Sequence, residues 1–188
     1  NQRWEPVEHM LVGRRQHAMT GGSLPGTVVA LGGFGSGFGS YELASASRYT
    51  PGAANNWTQL PDMTTPRGGL AAATLNGTVF ALGGMTGTYP KFTYLASVEA
   101  FDLAAGAHWT LLAASMTTPR YYHAAAVLRG LIYAAGGGNN GISTLASVER
   151  FDGGAHSTWA LVASMGTARY SFALVALEDG GPSHHGGM

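Results

Sequence analysis

The sequence predicts an all-β protein built from successive copies of one four-stranded unit. Trp57, Trp109 and Trp159 are 52 and 50 residues apart, and four arginines recur at spacings of 53, 53 and 49 residues, each four residues after a methionine. A double glycine follows the first three arginines by 18, 16 and 16 residues. A fixed period near fifty residues is typical of propellers and solenoids, which stack copies of one supersecondary unit. The repeated arginines are Arg14, Arg67, Arg120 and Arg169.

Each strand of the unit follows from the local sequence. The unit opens with a Met-Thr-Thr-Pro-Arg segment, as at residues 63–67, and a run of small apolar residues then predicts strand A. Asn76-Gly77 separates this run from a second one, which is a strong hairpin signal, so the second run predicts strand B, which ends in the double glycine. After a variable loop, Val-Glu-x-Phe-Asp predicts strand C, and a polar turn leads to the Trp that opens strand D.

Strand A is rich in alanine, which has the highest helix propensity. Its runs are only five to eight residues long and are bounded by Gly, Pro or Asn, which favours a strand. Small side chains on both faces suit the innermost strand of a propeller blade, where neighbouring blades converge. The aromatic residue of strand C and the Trp of strand D fill the wider space further out. The four Trp residues are therefore predicted to lie in the core.

The phase of the repeat predicts three complete units with a partial unit at each end. The predicted boundaries are strand D of a preceding blade at residues 1–9, repeat 1 at 10–62, repeat 2 at 63–115, repeat 3 at 116–164 and a lone strand A that starts repeat 4 within 165–188. Propellers usually have four to eight blades, so three blades would not close the ring. We therefore expect a fragment of a longer chain, or an assembly in which other subunits supply the missing blades.

The double glycine, the following Val-Glu-x-Phe-Asp and the Trp after a short turn resemble kelch repeats, close to those of the kelch-like adaptor proteins. Seven residues separate Phe101 from Trp109, one more than the usual kelch spacing, which lengthens the turn between strands C and D. The resemblance implies a kelch-type β-propeller, here incomplete, with three full four-stranded blades and flanking strands.

Composition excludes several classes of protein. Ten basic residues balance ten acidic ones with no run of either sign, so the electrostatic pattern of a nucleic-acid-binding protein is absent. The apolar stretches are too short to span a bilayer, so we expect no membrane insertion. There is no cysteine, which excludes thiolate metal sites and favours an intracellular, cytoplasmic location. Only 11% of the residues are charged, against about 25% typically, and this favours a surface covered by protein partners, open blade edges included.

The resemblance to the kelch-like adaptors also implies where partners bind. The ligand face of such propellers is formed by the residues just after each double glycine and just before each strand A. Tyr and Arg in these positions suit recognition of a peptide or protein surface, because both are enriched at binding hot spots. The predicted partner-binding residues are Arg15, Gln16, Phe34, Met85, Tyr121, Tyr122, Asn139, Asn140 and Tyr170.

The repeated arginines are predicted to be structural rather than ligand-binding. A residue that occurs in every unit is usually needed by the unit itself, and Glu99 and Glu149 recur as possible partners of Arg67 and Arg120. Repeat 1 is degenerate, since Ser47 replaces this glutamate.

Histidines provide the main indication of possible chemistry. His17 and His123 occupy equivalent positions, but their counterparts in the other units are Leu70 and Phe172, so no ring of ligands is predicted. We expect two satisfied core or rim histidines. The adjacent His184 and His185 lack a third ligand and are a weak metal signal. We therefore expect no catalytic residue, metal or cofactor.

These observations favour a noncatalytic module for protein–protein interaction or scaffolding, within a larger protein or a multi-subunit complex. Two alternatives remain. One is the substrate-recognition domain of a cullin-type ubiquitin-ligase adaptor. The other is a kelch enzyme that acts on a sugar or small metabolite at the axial channel. Because one fold supports many functions, the sequence leaves the partner unidentified.

Overall fold

The computed structural model describes residues 8–22, 26–36, 41–53, 56–88, 90–154 and 157–177, and the strands are numbered within this part of the chain. They are β1 (Arg14–Arg15), β2 (Ala18–Gly21), β3 (Val28–Leu31), β4 (Phe34–Gly35), β5 (Ala46–Tyr49), β6 (Trp57–Leu60), β7 (Ala71–Leu75), β8 (Thr78–Leu82), β9 (Met85–Thr88), β10 (Lys91–Tyr94), β11 (Val98–Asp102), β12 (Thr110–Leu111), β13 (Ala124–Leu128), β14 (Leu131–Ala135), β15 (Gly138–Asn139), β16 (Ser143–Thr144), β17 (Val148–Phe151) and β18 (Ala160–Val162).

Three four-stranded antiparallel sheets form the body of the molecule. Blade 1 has the order β2-β3-β5-β6, blade 2 the order β7-β8-β11-β12 and blade 3 the order β13-β14-β17-β18. In each blade the four strands therefore lie in chain order, as predicted for strands A to D. The three remaining pairs, β1-β4, β9-β10 and β15-β16, are short ribbons beside the blades. The predicted all-β fold with three propeller blades is confirmed.

Turn chemistry sets the register of the innermost strands. In blade 2, Asn76 and Gly77 both have positive φ, 50° and 78°, as a two-residue hairpin turn of type I′ requires. This turn pairs Leu75 with Thr78 and Ala71 with Leu82. Arg129 and Gly130 have nearly the same φ values, 50° and 72°, in blade 3. The hairpin predicted from Asn76-Gly77 is confirmed.

The strands A of neighbouring blades lie side by side, which places them at the inner edge of the molecule. Strand β7 packs against both β2 and β13. The hydroxyl oxygens of Thr20 and Thr74, on β2 and β7, are 3.1 Å apart. Only short side chains permit this approach, which explains why these strands are rich in alanine.

The hydrophobic core lies between the blades. One cluster, which includes Leu31, Val79 and Trp109, joins blades 1 and 2, and a second, which includes Ile132 and Trp159, joins blades 2 and 3. In each blade the strand C aromatic ring packs on the Trp side chain, which is buried. The ring pairs, with their centroid distances, are Tyr49–Trp57 at 5.2 Å, Phe101–Trp109 at 5.3 Å and Phe151–Trp159 at 5.1 Å. The core positions predicted for these three Trp residues are confirmed, and Trp4 lies outside the described residues.

The double glycines form joints between consecutive blades. The backbone N–H groups of Gly33, Gly84 and Gly137 donate to the carbonyl oxygen of the repeated arginine of the next unit at 2.8, 2.8 and 2.9 Å. A Cβ atom on Gly83 would lie 2.5 Å from the carbonyl oxygen of Arg120. The glycines are needed because the chain of the next blade approaches so closely.

The two partial units are only partly described. The segment predicted as strand D of a preceding blade falls mostly within residues 1–7, outside the described residues. Residues 169–177, predicted to hold the lone strand A of repeat 4, pair with no strand in the described part of the chain. The predicted domain boundaries remain predictions.

Within the described ranges no helix is long and apolar enough to cross a membrane.

Candidate functional site

One face of the blades carries both sets of predicted partner-binding residues, and we call it the loop face. The four residues before each strand A are named the pre-A segments: 14–17, 67–70, 120–123 and 169–172. In each complete blade the second residue of this segment pairs with the residue after the double glycine of the same blade. The pairs are Arg15 with Phe34, Gly68 with Met85 and Tyr121 with Gly138. The two predicted sets are therefore in direct backbone contact.

The pre-A segments are joined to one another by hydrogen bonds between blades. The N–H of Gly69 donates to the carbonyl of Gln16, that of Tyr122 to Gly69, and that of Ser171 to Tyr122, at 3.0, 2.7 and 2.8 Å. All four residues have φ between 51° and 60°, in the left-handed region. The equivalent positions of the four repeats therefore form one continuous backbone arc at the inner edge of the loop face.

A buried ion pair fixes each pre-A segment of blades 2 and 3. Arg67 donates through Nε and Nη2 to Oε1 of Glu99, at 3.2 and 3.0 Å, and both side chains are fully buried. Its Nη1 donates to the carbonyl oxygens of Gly83 and Ser97. Arg120 and Glu149 repeat this arrangement with the same ion-pair distance, 3.0 Å. The predicted Arg–Glu partners are confirmed.

Glu99 also holds the loop that enters the pre-A segment. Its carboxylate accepts hydrogen bonds from the backbone N–H groups of Thr64 and Thr65 at 2.6 and 3.1 Å. Burial alone would raise the pKa of Glu99, but the hydrogen bonds from Thr64 and the guanidinium of Arg67 hold this pKa below its usual value. The glutamate therefore stays ionised, and its carboxylate is occupied by structural contacts to Arg67 and to the loop before it.

Tyrosine rings form a cluster on the loop face. Tyr121 packs against Tyr94 with a centroid distance of 4.9 Å, and against Tyr122 at 5.1 Å. Burial, together with the neighbouring Tyr94 and Tyr170, raises the pKa of Tyr121, so its hydroxyl is a hydrogen-bond donor at neutral pH. Tyr170 is 58% exposed. We name these four residues the tyrosine cluster.

Tyr94 was missed by sequence reasoning. It lies on β10, in the variable loop of repeat 2, where no repeated landmark marks its position. The length of that loop and its Lys-Phe-Thr-Tyr segment were the only signals that a ribbon forms there. Antiparallel pairing with β9 places Tyr94 opposite Met85, one residue from the double glycine.

Two of the predicted partner-binding residues are buried, and two others lie in a turn. Phe34 and Met85 are buried, 6% and 8% exposed, so their side chains belong to the scaffold below the surface. Asn140 has a φ of 53° and its Oδ1 accepts from the N–H of Ile142 and Ser143, which is a turn contact. Asn139 pairs with Ser143 across the same turn. The other seven predicted residues are exposed or half-buried: Arg15, Gln16, Tyr121, Tyr122, Asn139, Asn140 and Tyr170.

A cavity of about 230 Å³ opens where the pre-A segments meet, and we call it the axial cavity. His17 and His123 both line it. Neither ring nitrogen of His123, nor Nδ1 of His17, has a hydrogen-bond partner among the described residues, so protein atoms do not supply the contacts expected for these two histidines. Burial, with a contribution from the charge of Arg120, lowers the pKa of His123 to about 3.

The described residues contain no group of three or more His, Asp or Glu side chains that could hold a metal ion. His184 and His185 lie outside the described residues.

The fold and the repeated joints define a kelch-type β-propeller architecture, and comparison with known proteins agrees. The family model of the Kelch motif matches residues 66–113 and 119–166, which together make up just over half of the chain. The chain belongs to the kelch-repeat family. No curated protein sequence matches it.

A solved structure shows the same architecture. The structure of YjhT superimposes with a TM-score of 0.68 at 16% sequence identity, covering 84% of this chain and 54% of YjhT. At this identity the likeness concerns the fold alone. The chain spans about half the length of YjhT.

Proposed function

We propose that the chain is a noncatalytic protein-interaction module whose loop face binds a partner protein. The observation that carries this proposal is the tyrosine cluster, which lies beside exposed arginines on the face where the pre-A segments converge. Arg15 and Arg169 are both exposed there, and the exposed Tyr170 directly follows Arg169 in the chain. Tyr and Arg are the side chains most enriched at protein-binding hot spots.

The rigid mounting of the cluster supports binding. Tyr121 is held by its bridge to Gly138 and by two ring contacts, and Tyr122 is held by backbone hydrogen bonds on both sides. A tyrosine has only two side-chain torsions, so little conformational entropy is lost when a partner covers it. A preorganised surface of this kind binds with a lower entropic cost than a mobile loop.

The proposal also includes the kind of assembly to which the module belongs. Kelch-family membership, and the presence of three blades within the described residues where propellers have four to eight, support a place in a larger protein or multi-subunit complex, with partners at the open blade edges as well. A cullin-type ubiquitin-ligase adaptor is one such setting. The absence of cysteine supports a cytoplasmic location.

The test compares two exposed side chains of similar accessibility on different parts of a blade. Tyr170 is 58% exposed on the loop face, and Leu111 is 55% exposed on β12, the outermost strand of blade 2. Wild type and the variants Tyr121→Ala, Tyr170→Ala and Leu111→Ala are expressed at equal level in the native host, and co-purifying proteins are quantified. We expect partners to be lost with both tyrosine variants and retained with Leu111→Ala.

Equal melting temperatures of the variants serve as the folding control. Retention of every partner by Tyr121→Ala and Tyr170→Ala would contradict the proposal, and so would equal loss with Leu111→Ala.

A further inference from the structure

Three rings of the tyrosine cluster touch one another in a row. The ring centroids of Tyr94 and Tyr121 are 4.9 Å apart, and those of Tyr121 and Tyr122 are 5.1 Å apart. All three side chains are half-buried, so each ring keeps part of its surface open to solvent. Tyr170 is 58% exposed and lies close enough to Tyr121 to affect its pKa. The row therefore offers aromatic surface to a partner of the loop face.

Glycines on the protein side of the row allow the rings to lie flat against blade 3. A Cβ atom on Gly138 would lie 2.5 Å from Cζ of Tyr121, and one on Gly141 would lie 2.5 Å from the hydroxyl oxygen of Tyr94. Tyr94 comes from β10 in blade 2, whereas Gly141 lies in the turn between β15 and β16 of blade 3. The row thus bridges two blades, and the packing of those blades fixes its geometry.

The polar groups at the row are hydrogen-bond donors. Burial, followed by the neighbouring tyrosines, raises the pKa of Tyr121 and that of Tyr122, so both hydroxyl groups remain protonated at neutral pH. The hydroxyl of Tyr122 donates to Oε1 of the exposed Gln16 at 2.8 Å. This contact fixes the orientation of the Gln16 amide, whose NH₂ group carries two donors. A ligand rich in acceptors would complement these groups.

The arginines of the loop face lie over other aromatic rings. The guanidinium carbon of Arg15 is 5.9 Å from the ring centroid of Phe34, and that of Arg169 is 5.9 Å from the ring centroid of Phe172. A cation over an aromatic face is already partly compensated by the ring electrons. These contacts favour the tyrosine faces, rather than the arginines, as the main surface for a ligand.

An extended proline-rich segment matches this surface in three respects. Proline has no N–H and a polyproline II helix has no internal hydrogen bonds, so the segment presents carbonyl acceptors to the donors of the row. Proline rings pack on aromatic side chains, which is how aromatic-lined grooves recognise such segments. One turn of the helix is roughly 9 Å long, which is comparable with the length of three touching rings.

An exposed isoleucine extends the apolar surface beyond the row. Ile142 is 90% exposed and directly follows Gly141, the glycine against which Tyr94 lies. A large aliphatic side chain exposed beside aromatic rings enlarges an apolar patch, and such patches mark interaction sites. An apolar residue next to the prolines of the ligand would contact Ile142.

We infer that the tyrosine cluster binds an extended proline-rich segment of the partner protein, whose proline rings pack on Tyr94 and Tyr121 and whose carbonyl groups accept hydrogen bonds from Tyr121 and Gln16. This inference rests on the proposed function and names the class of ligand for the same face. The stiffness of the segment adds to its affinity, because little backbone freedom is lost when it binds.

Octaproline with blocked ends is the probe for this inference. Two blocked peptides of equal length are its matched controls, an uncharged Gly-Ser repeat and an acidic Glu-Gly repeat. Each peptide is titrated into the full chain while the tyrosine ring signals are followed by NMR, and Tyr121→Phe assigns the signal of that ring. We expect octaproline to shift the Tyr121 signal at about millimolar concentration, and both controls to bind at least about tenfold more weakly. Absence of the shift, or equal or tighter binding of either control, would overturn the inference.

Variants of the row test the named contacts. Tyr121→Ala should weaken octaproline binding about tenfold, and Tyr121→Phe, which removes only the hydroxyl, about threefold. Gly138→Ala keeps every tyrosine but places a Cβ atom against the Tyr121 ring, so the displaced ring should bind octaproline about fivefold more weakly. Tyr41 is 65% exposed in the loop between β4 and β5 of blade 1, and Tyr41→Ala, the matched control, should bind as the wild type does.

The outcomes separate this ligand class from the proposed function. Loss of co-purifying partners with Tyr121→Ala, without octaproline binding by the wild type, would overturn the inference and leave the partner-binding proposal standing. Octaproline binding that is unchanged in both Tyr121→Ala and Tyr170→Ala would place the peptide elsewhere and also overturn the inference. If Tyr121→Ala fails to fold, the exposed Tyr170 supplies the deciding variant.

Discussion

Blades 1 and 2 share one fold but differ in how the repeated arginine is neutralised. In blade 2 the guanidinium of Arg67 is paired with Glu99, whereas in blade 1 Ser47 occupies the position of that glutamate and Nε of Arg14 is buried without a partner among the described residues. The other contacts are the same. Nη1 of Arg14 donates to the carbonyl oxygens of Gly32 and Ser45 at 3.0 and 2.9 Å, as Nη1 of Arg67 does to the equivalent residues of blade 2.

This difference separates the role of the arginine from that of the glutamate. The arginine binds the backbone next to the double glycine in both blades, so it belongs to the blade itself. Glu99 adds a link to the loop before the pre-A segment, through Thr64 and Thr65, which blade 1 lacks. Blade 1 shows that the sheet forms without the ion pair, so the pair contributes to stability rather than to blade shape.

Removal of the glutamate should have the largest effect. Glu99→Ala leaves Arg67 buried without a counter-charge, and we expect the free energy of unfolding to fall by about 3–5 kcal/mol. The matched change in blade 1, Ser47→Ala, removes a 3.3 Å contact with Gln59 and should cost about 1 kcal/mol or less. Urea unfolding with a constant m-value measures both. Similar losses in the two variants would show that the ion pair carries no special stabilisation.

Replacement of the arginines should produce a smaller difference in stability between blades 1 and 2. Arg67→Met leaves a buried carboxylate that still accepts two backbone hydrogen bonds, so we expect a loss of about 3 kcal/mol. Arg14→Met, at a half-buried site without an ion pair, should cost about 1–2 kcal/mol. Thermal unfolding compares them. Unchanged melting of Arg67→Met together with lost partner binding would reverse the structural assignment of this arginine.

The histidines of blades 1 and 3 should make the free energy of unfolding depend on pH. His123 stays neutral in the folded protein down to a pKa of about 3, but in the unfolded chain it is protonated below about pH 6.5. The unfolded state therefore binds more protons, and stability should fall by about 2 kcal/mol as pH decreases from 6.5 to 5. The contribution of ionised Glu99 is lost only at lower pH, because its pKa lies below the usual value.

His123→Leu should flatten this pH dependence, and His17→Leu, at the half-buried equivalent in blade 1, should flatten it less. Urea unfolding at pH 6.5 and pH 5 measures the slope for each variant. An unaltered slope in His123→Leu would mean that the imidazole is solvated in the folded protein.

Completion of the ion pair in blade 1 should change the free energy of unfolding least. Ser47→Glu introduces the residue found in repeats 2 and 3, next to a guanidinium whose Nε lacks a partner. We expect a gain of up to about 1 kcal/mol, since desolvation of the new carboxylate offsets much of the attraction. A thermal unfolding scan of Ser47→Glu combined with Arg14→Met provides the control, because without the arginine the change should destabilise the protein.

Sequence reasoning was most successful for contacts with a repeated or strong local signature. The double glycine and the Trp recur in all three complete units, the Arg–Glu pair recurs in two of them, and Asn76-Gly77 is a strong turn signal by itself. It was less successful for residues that differ between units. Phe34 and Met85 are buried because the ribbons after the double glycines turn these side chains inward, and Tyr94 joins the site from a loop without a repeated pattern.

The sequence by itself determined the repeat frame, the four strands of each unit and the residues that hold a unit together, because these depend on local turns and on contacts within one period. Only the tertiary structure decided that Gln16, Gly69, Tyr122 and Ser171 meet in one backbone arc, and that Tyr122 reaches Gln16 over the axial cavity. Such contacts join residues one or two periods apart. They depend on the angle and distance at which neighbouring blades pack, which no local pattern in the chain encodes.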